Sequence, residues 1–283
     1  MTATILDGKQ LANQILSEIQ KKIAHLPAAA VRPKLVIIQV LGDEASSIYV
    51  KRKLSTAAKV GIEAKHQVFT SDVTTDLVKD YIHQLNLDSS VHGILLQLPL
   101  PAQLNKNDLL SVIDPQKDVD GLTPYNLGCL LQQHPKLKPC TPFGIITLLQ
   151  HYEIEMRGKE VVILNASALV GRPLAMLFLD AGATVTLCNS KTQNLQTHVK
   201  RADILVSATG KPQIIPADWL KTGVVAIDVG VHRHSELGII GDLNLAESKK
   251  IASCITPVPG GVGPMTVAML MQNVWQAYQS EDS

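Results

Sequence analysis

Apolar residues follow two alternating rhythms along this chain. Leu11, Ile15, Ile19 and Ile23 recur every four residues and share one helical face, whereas KLVIIQVLG (34–42) is a continuous apolar run suited to a strand covered on both sides. The same patterns predict a helix over 44–59, a strand over 64–69, a helix carrying Val78, Ile82 and Leu85, and a third strand within 91–101. Beyond a Pro/Gly-containing loop at 138–144 the alternation resumes, with strands at 160–165, 184–189, 202–210 and 224–231. Helices fit between them at 171–181 and around 195–200, and a last helix, 264–278, carries Val267, Leu270, Met271, Val274 and Trp275. Strands spaced by helices imply βαβ units on a largely parallel sheet, hence an α/β fold of two α/β domains. Residues 144–263 are expected to form a Rossmann-like, doubly wound parallel sheet. Residues 1–143 and 264–283 are expected to form the other domain, with the C-terminal helix returning to it.

Charge narrows the partners. With 26 Lys+Arg against 25 Asp+Glu and no long run of one sign, the chain has no electrostatic footprint for nucleic acid or an anionic membrane. A small molecule is the expected partner. Cys129, Cys140, Cys188 and Cys254 lack CxxC or zinc-like spacing and read as reduced thiols of a cytoplasmic protein. No run of 18 apolar residues occurs and no secretory pattern opens the chain, so neither membrane insertion nor secretion is expected.

Candidate chemistry lies at strand ends and in one unusual segment. TPVPGGVGPMT (256–266) contains no base or metal ligand, but its prolines fix φ and its glycines admit close approach to the main chain. It reads either as a linker or as a shaped wall for a flat ligand, with Pro257, Gly260 and Gly261 at its centre. Asn165, Ala166 and Ser167 form a small-residue turn between a strand and a helix, which can offer N–H donors to a pyrophosphate or be a plain βα turn. One strand later, Ser190 and Lys191 stand where an acid would accept from the ribose of NAD. Donors there favour the 2′-phosphate of NADP, if the loop is more than surface.

Tyr49 and Lys53 lie four apart on a predicted helix and share a face, either as part of a solvated patch with Lys51 and Arg52 or as a site. Gln97 interrupts an apolar run near the end of a predicted strand, where a core amide or a ligand-binding one fits equally. DVDG (118–121) lacks the other ligands of a calcium loop, so no metal is expected and Asp120 suits the N–H donors of a nitrogen heterocycle.

Together YVKRK, LLQLPLP, KDVDG, PCTP, NASALVGRP and TPVPGGVGPMT resemble, in order and spacing, the methylenetetrahydrofolate dehydrogenase/cyclohydrolase family, across essentially the whole chain. The resemblance implies an NADP-linked oxidation of 5,10-methylenetetrahydrofolate to the 5,10-methenyl form, followed by hydrolysis to 10-formyltetrahydrofolate, within one-carbon metabolism. It implies Lys53 as the catalytic lysine, Tyr49 beside the substrate's aromatic part, Gln97 as the lysine's partner and Asp120 as the pterin anchor. Asn165, Ala166, Ser167, Ser190, Lys191 and Val231 would line the NADP site, and the molecule would be a homodimer. Two positions depart from the family: Asn165 stands where glycine is usual, expected to take a left-handed backbone, and Ser55 replaces a common second lysine. Other readings are a dehydrogenase of the shikimate type and a non-catalytic folate- or nucleotide-binding protein.

Overall fold

The computed structural model describes residues 2–42 and 44–281. The chain begins with Thr4–Ile5 (β1), Gly8–Ala24 (α1), Lys34–Val40 (β2), Glu44–Val60 (α2), Glu63–Phe69 (β3), Thr75–Leu87 (α3) and Gly93–Leu96 (β4). Helices Lys106–Ser111 (α4), Pro124–Leu131 (α5) and Cys140–His151 (α6) follow. Then come Glu160–Leu164 (β5), Gly171–Asp180 (α7), Thr184–Cys188 (β6), Leu195–Arg201 (α8), Ile204–Ser207 (β7) and Val225–Asp228 (β8). The remainder comprises His232–His234 (β9), Gly238–Ile240 (β10), Leu245–Ser248 (α9), Cys254–Ile255 (β11) and Val262–Glu281 (α10).

The chain divides into two compact units, one of Met1–Asn13 with Thr141–Thr266, the other of Gln14–Cys140 with Val267–Ser283. The second contains a three-stranded parallel sheet in the order β3-β2-β4. Its central strand is buried from Leu35 to Val40, as a run covered on both faces requires. On α3 the spacing of Val78, Ile82 and Leu85 puts all three in the core, and the Thr74 side chain caps the helix by accepting from the Leu77 N–H. Each such buried side chain contributes about 1.5–3 kcal/mol. From α10, Val274, Trp275 and Tyr278 are buried as well, with the Tyr278 ring edge-on to His92 at 5.0 Å.

The other unit is a six-stranded, all-parallel sheet in the order β1-β11-β8-β7-β5-β6. Counting from β5, the strands run 2-1-3-4-5 with β1 added at the far edge. Strand order reverses between β5 and β7, so the ligand crevice of a doubly wound sheet falls at their C-terminal ends.

Two expectations need correction. Residues 1–13, assigned by sequence to the first domain, belong to the six-stranded unit, because Thr4 and Ile5 pair with Cys254 and Ile255. The supposed loop at 138–144 is largely the start of α6, whose first turn accommodates Pro142 because no i→i−4 bond is needed there.

Candidate active site

In the three-stranded unit, Lys53 and Gln97 meet. Gln97 directly follows β4, and its N–H continues the ladder by donating to the Ile38 carbonyl at 2.8 Å, which sets its side chain at the C-terminal rim of the sheet. Lys53 Nζ donates to Gln97 Oε1 at 3.0 Å, while Gln97 Nε2 donates to the Leu98 carbonyl at 2.6 Å. The backbone contact fixes the amide so that its oxygen faces the ammonium. That bond uses one of three ammonium donors, leaving two for a ligand or water. Tyr49 lies one turn earlier on α2 and is 43% exposed, presenting its ring to solvent.

The helix carrying Lys53 is itself anchored by a network the sequence reading passed over. Buried Gln39 on β2 donates to the hydroxyls of Ser46 and Ser47, both at 3.0 Å, and its oxygen accepts from His66 Nε2 at 3.0 Å. Burial lowers the His66 pKa, which favours the neutral ring. The only hint was a polar residue inside an apolar strand.

The DVDG turn assigns its two carboxylates different work. Asp118 is buried and accepts from the Thr123 N–H at 2.7 Å and Asn126 Nδ2 at 2.9 Å, with burial pushing its carboxyl above the usual range. It closes the turn and holds Thr123, the N-cap of α5, so its Oδ2 is already engaged. Asp120 is only half-buried and lies against the Cys140 thiol. Burial first, then the Asp120 charge, pushes that thiol well above its ordinary value, while Lys53 acts in the opposite direction. Lys53, Asp120 and Cys140 therefore share one electrostatic neighbourhood. Gly121 has φ +69°, and a Cβ there would meet the Lys138 carbonyl carbon at 2.5 Å. From α10, Asn273 Nδ2 donates to the carbonyls of Val119 and Lys138 at 2.9 and 2.8 Å, pinning both sides of the turn.

In the six-stranded unit, Asn165, Ala166 and Ser167 occupy the turn after β5. Asn165 does not take the left-handed backbone expected of a glycine replacement; its side chain holds the turn instead. Oδ1 accepts from the Ser167 N–H and Nδ2 donates to the Ala208 carbonyl, each at 2.6 Å, so Asn165 ties the β5 end to the β7 end across the strand-order reversal. The glycine this turn needs is Gly171, where a Cβ would fall 1.6 Å from the Asn165 carbonyl oxygen. Helix α7 starts there without a side-chain cap at Val170; the Val170 and Arg172 N–H groups donate to Ser167 and Pro173 has none, so what this helix end offers an anion is chiefly its positive dipole end. The site thus fits a dinucleotide pyrophosphate. Ser190 and Lys191 follow β6 in an exposed turn closed by Asn189, whose Oδ1 accepts from the Lys191 N–H at 2.9 Å. Val231 is exposed just beyond β8.

The Pro/Gly segment is pinned within the same unit. Gly260 has φ +113°, its carbonyl accepts from the Lys9 N–H at 2.8 Å, and the Gly261 N–H donates to the Pro257 carbonyl at 2.8 Å. A Cβ on Gly8 would lie 2.0 Å from the Gly261 oxygen, so only glycine lets the two backbones touch. Among the described residues no His/Cys/Asp/Glu cluster could hold a metal ion, and no helix is long and apolar enough to cross a membrane.

Residues 6–120 match the catalytic domain of the tetrahydrofolate dehydrogenase/cyclohydrolase family, and residues 139–282 match its NAD(P)-binding domain. The bifunctional protein FolD of Bordetella avium is 46% identical over 98% of this chain and 98% of its own length. The crystal structure of the bifunctional FolD enzyme from Campylobacter jejuni superimposes with a TM-score of 0.96 at 41% identity, covering 99% of both chains. That of the Trypanosoma brucei enzyme, complexed with NADP cofactor and inhibitor, gives 0.95 at 34% identity, covering 100% of this chain and 99% of that one. A shikimate 5-dehydrogenase from Thermus thermophilus shares the fold alone, at 14% identity and a TM-score of 0.54 over 87% of this chain and 98% of that one.

Proposed function

Because the chain belongs to the tetrahydrofolate dehydrogenase/cyclohydrolase family through both of its domains, we propose that it oxidises 5,10-methylenetetrahydrofolate with NADP and hydrolyses the 5,10-methenyl product to 10-formyltetrahydrofolate, with Lys53 and Gln97 handling the proton. The 3.0 Å bond between Lys53 Nζ and Gln97 Oε1 at the rim of a parallel sheet carries this reading.

The two reactions ask different things of the protein. The methylene carbon lies between two nitrogens whose lone pairs stabilise the cation left behind, so oxidation needs alignment more than an acid or base. NADP, bound along Asn165, Ala166, Ser167, Ser190, Lys191 and Val231, supplies the hydride acceptor. Hydrolysis instead requires water to add to the methenyl carbon and a proton to reach the departing nitrogen. Lys53, aimed by Gln97, relays that proton. Asp120, free of the bonds that occupy Asp118, accepts from the N–H groups of the pterin, and Tyr49 lies along the substrate's aromatic part. Pro257, Gly260 and Gly261 offer substrate a rigid main-chain surface.

We assign folate binding to the three-stranded unit and nucleotide binding to the six-stranded one. The chain acts as a cytoplasmic homodimer, feeding one-carbon units to purine biosynthesis. Following NADP reduction and methenyl absorbance in one cuvette tests both activities, and failure to reduce NADP with the folate substrate overturns the reading. Asp120→Ala is expected to lower folate affinity and both activities together; undiminished folate binding by calorimetry removes Asp120 from the site. A monomeric mass by light scattering overturns the dimer.

A further inference from the structure

A buried carboxylate that no motif pointed to braces the rim of the six-stranded sheet. Asp242 is fully buried and accepts from Ser207 Oγ at 3.0 Å, the Thr209 N–H at 2.6 Å, Thr209 Oγ1 at 2.9 Å and His232 Nε2 at 2.8 Å. Ser207 and Thr209 stand at the C-terminal end of β7, and His232 begins β9 just past the end of β8. Asp242 thus joins the end of β7 to the segment that follows the neighbouring β8. Glycines make room for it: a Cβ on Gly230 would lie 2.0 Å from Asp242 Oδ1. A second carboxylate, Asp228, holds Asp242 in place by accepting from its N–H and that of Leu243 at 2.9 and 2.8 Å.

The bonds form a path. Asn165 Nδ2 reaches the Ala208 carbonyl, residues 207 and 209 on either side reach Asp242, and Asp242 reaches His232, which adjoins Val231. Asn165 and Val231 are both assigned to the nucleotide site, and they are connected through this one carboxylate. We propose that Asp242 and His232 are a positioning pair for that site, fixing the ends of β7 and β8 in the spacing a nicotinamide dinucleotide requires. The proposal rests on the NADP-binding reading of this unit. Neither residue need touch the ligand.

Fluorescence titration of the full chain with NADPH and with NADH gives the wild-type Kd, and the tighter ligand serves as the probe. His232→Leu removes one bond to a buried charge and is expected to raise that Kd, and the KM for the oxidised cofactor, about tenfold. At saturating cofactor, kcat is expected to stay within about twofold, since the chemistry is untouched. His232→Gln, whose amide can donate to the same carboxylate, is expected to recover most of the affinity. Arg233→Ala, one residue on and exposed, serves as a control expected to match wild type. A wild-type Kd in His232→Leu overturns the proposal, as does an equal loss in the Leu and Gln variants or a fall in kcat matching the rise in KM. If wild type binds neither dinucleotide, the NADP reading itself fails, and the pairing falls with it.

Discussion

The rim of the three-stranded sheet and the rim of the six-stranded sheet, each proposed above as a binding site, are built from different materials. At the first, side chains do the work: Lys53, Gln97 and Asp120 present ionisable or polar groups, and the backbone beneath holds them. At the second, the turn proposed to meet the pyrophosphate is largely backbone. Asn165 and Asp228 spend their side chains on main-chain N–H and carbonyl groups, Asp242 braces the Ser207, Thr209 and His232 side chains as well as the Thr209 N–H, and Gly171 and Gly230 let these groups approach. A side-chain site can lose its chemistry and keep its shape, whereas a backbone site loses shape and function together.

The largest test of that contrast is Lys53→Gln, expected to slow methenyl hydrolysis by about 1,000-fold while folate still binds. Decay of methenyl absorbance at the wild-type rate would take the lysine out of the reaction. Next, Gly171→Ala should raise the Kd for NADPH about 100-fold, since a methyl group 1.6 Å from the Asn165 oxygen forces the turn open. An unchanged fluorescence titration would show that this turn does not shape the nucleotide site.

A pH series sharpens the comparison from the stability side. Burial chiefly, with the Asp242 charge adding to it, raises the Asp228 pKa from 3.8 to about 6. The folded chain therefore holds a proton that the unfolded chain has lost between those values, so this contribution to stability is full below about pH 4 and disappears as pH rises through about 6. Relative to Asp228→Asn, wild type should gain about 2–3 kcal/mol in urea unfolding free energy on going from pH 7 to pH 4. A pH-independent difference would refute the buried-carboxylate account. The smallest effect belongs to the exposed Lys191: its replacement by alanine should cut the preference for NADPH over NADH about threefold, because solvated charge pairs are weak. Loss of NADH binding in equal measure would show that Lys191 does not read the 2′-phosphate.

How much was legible in the sequence follows the same division. Continuous apolar runs such as 34–42 and 160–165 announced the strands, and the four-residue step from Tyr49 to Lys53 placed both on one face of α2. Chemistry carried by a side chain is visible as a residue type. The bracing of the second rim was not, because Asp242 meets Ser207 and Thr209 only after the chain has folded, and nothing local marks the pairing. β1 and β11 were missed because two residues leave no periodicity to read. The role of Asn165 is hidden for a related reason: the glycine usual at this position implies a backbone role, whereas the side-chain bond to Ala208 depends on a distant strand.

The pairing of Thr4 with Cys254 also bears on how the molecule is made. Emerging from a ribosome, the first strand must wait for almost the entire chain before its partner exists. The other unit is in the same position, since α10 supplies its Asn273 clamp and part of its core. Neither unit has all its parts until residues 254–281 are made: a nascent chain that stops short of Cys254 leaves β8 without its neighbour, and one that stops short of Val262 leaves the core of the three-stranded unit uncovered, states prone to aggregate.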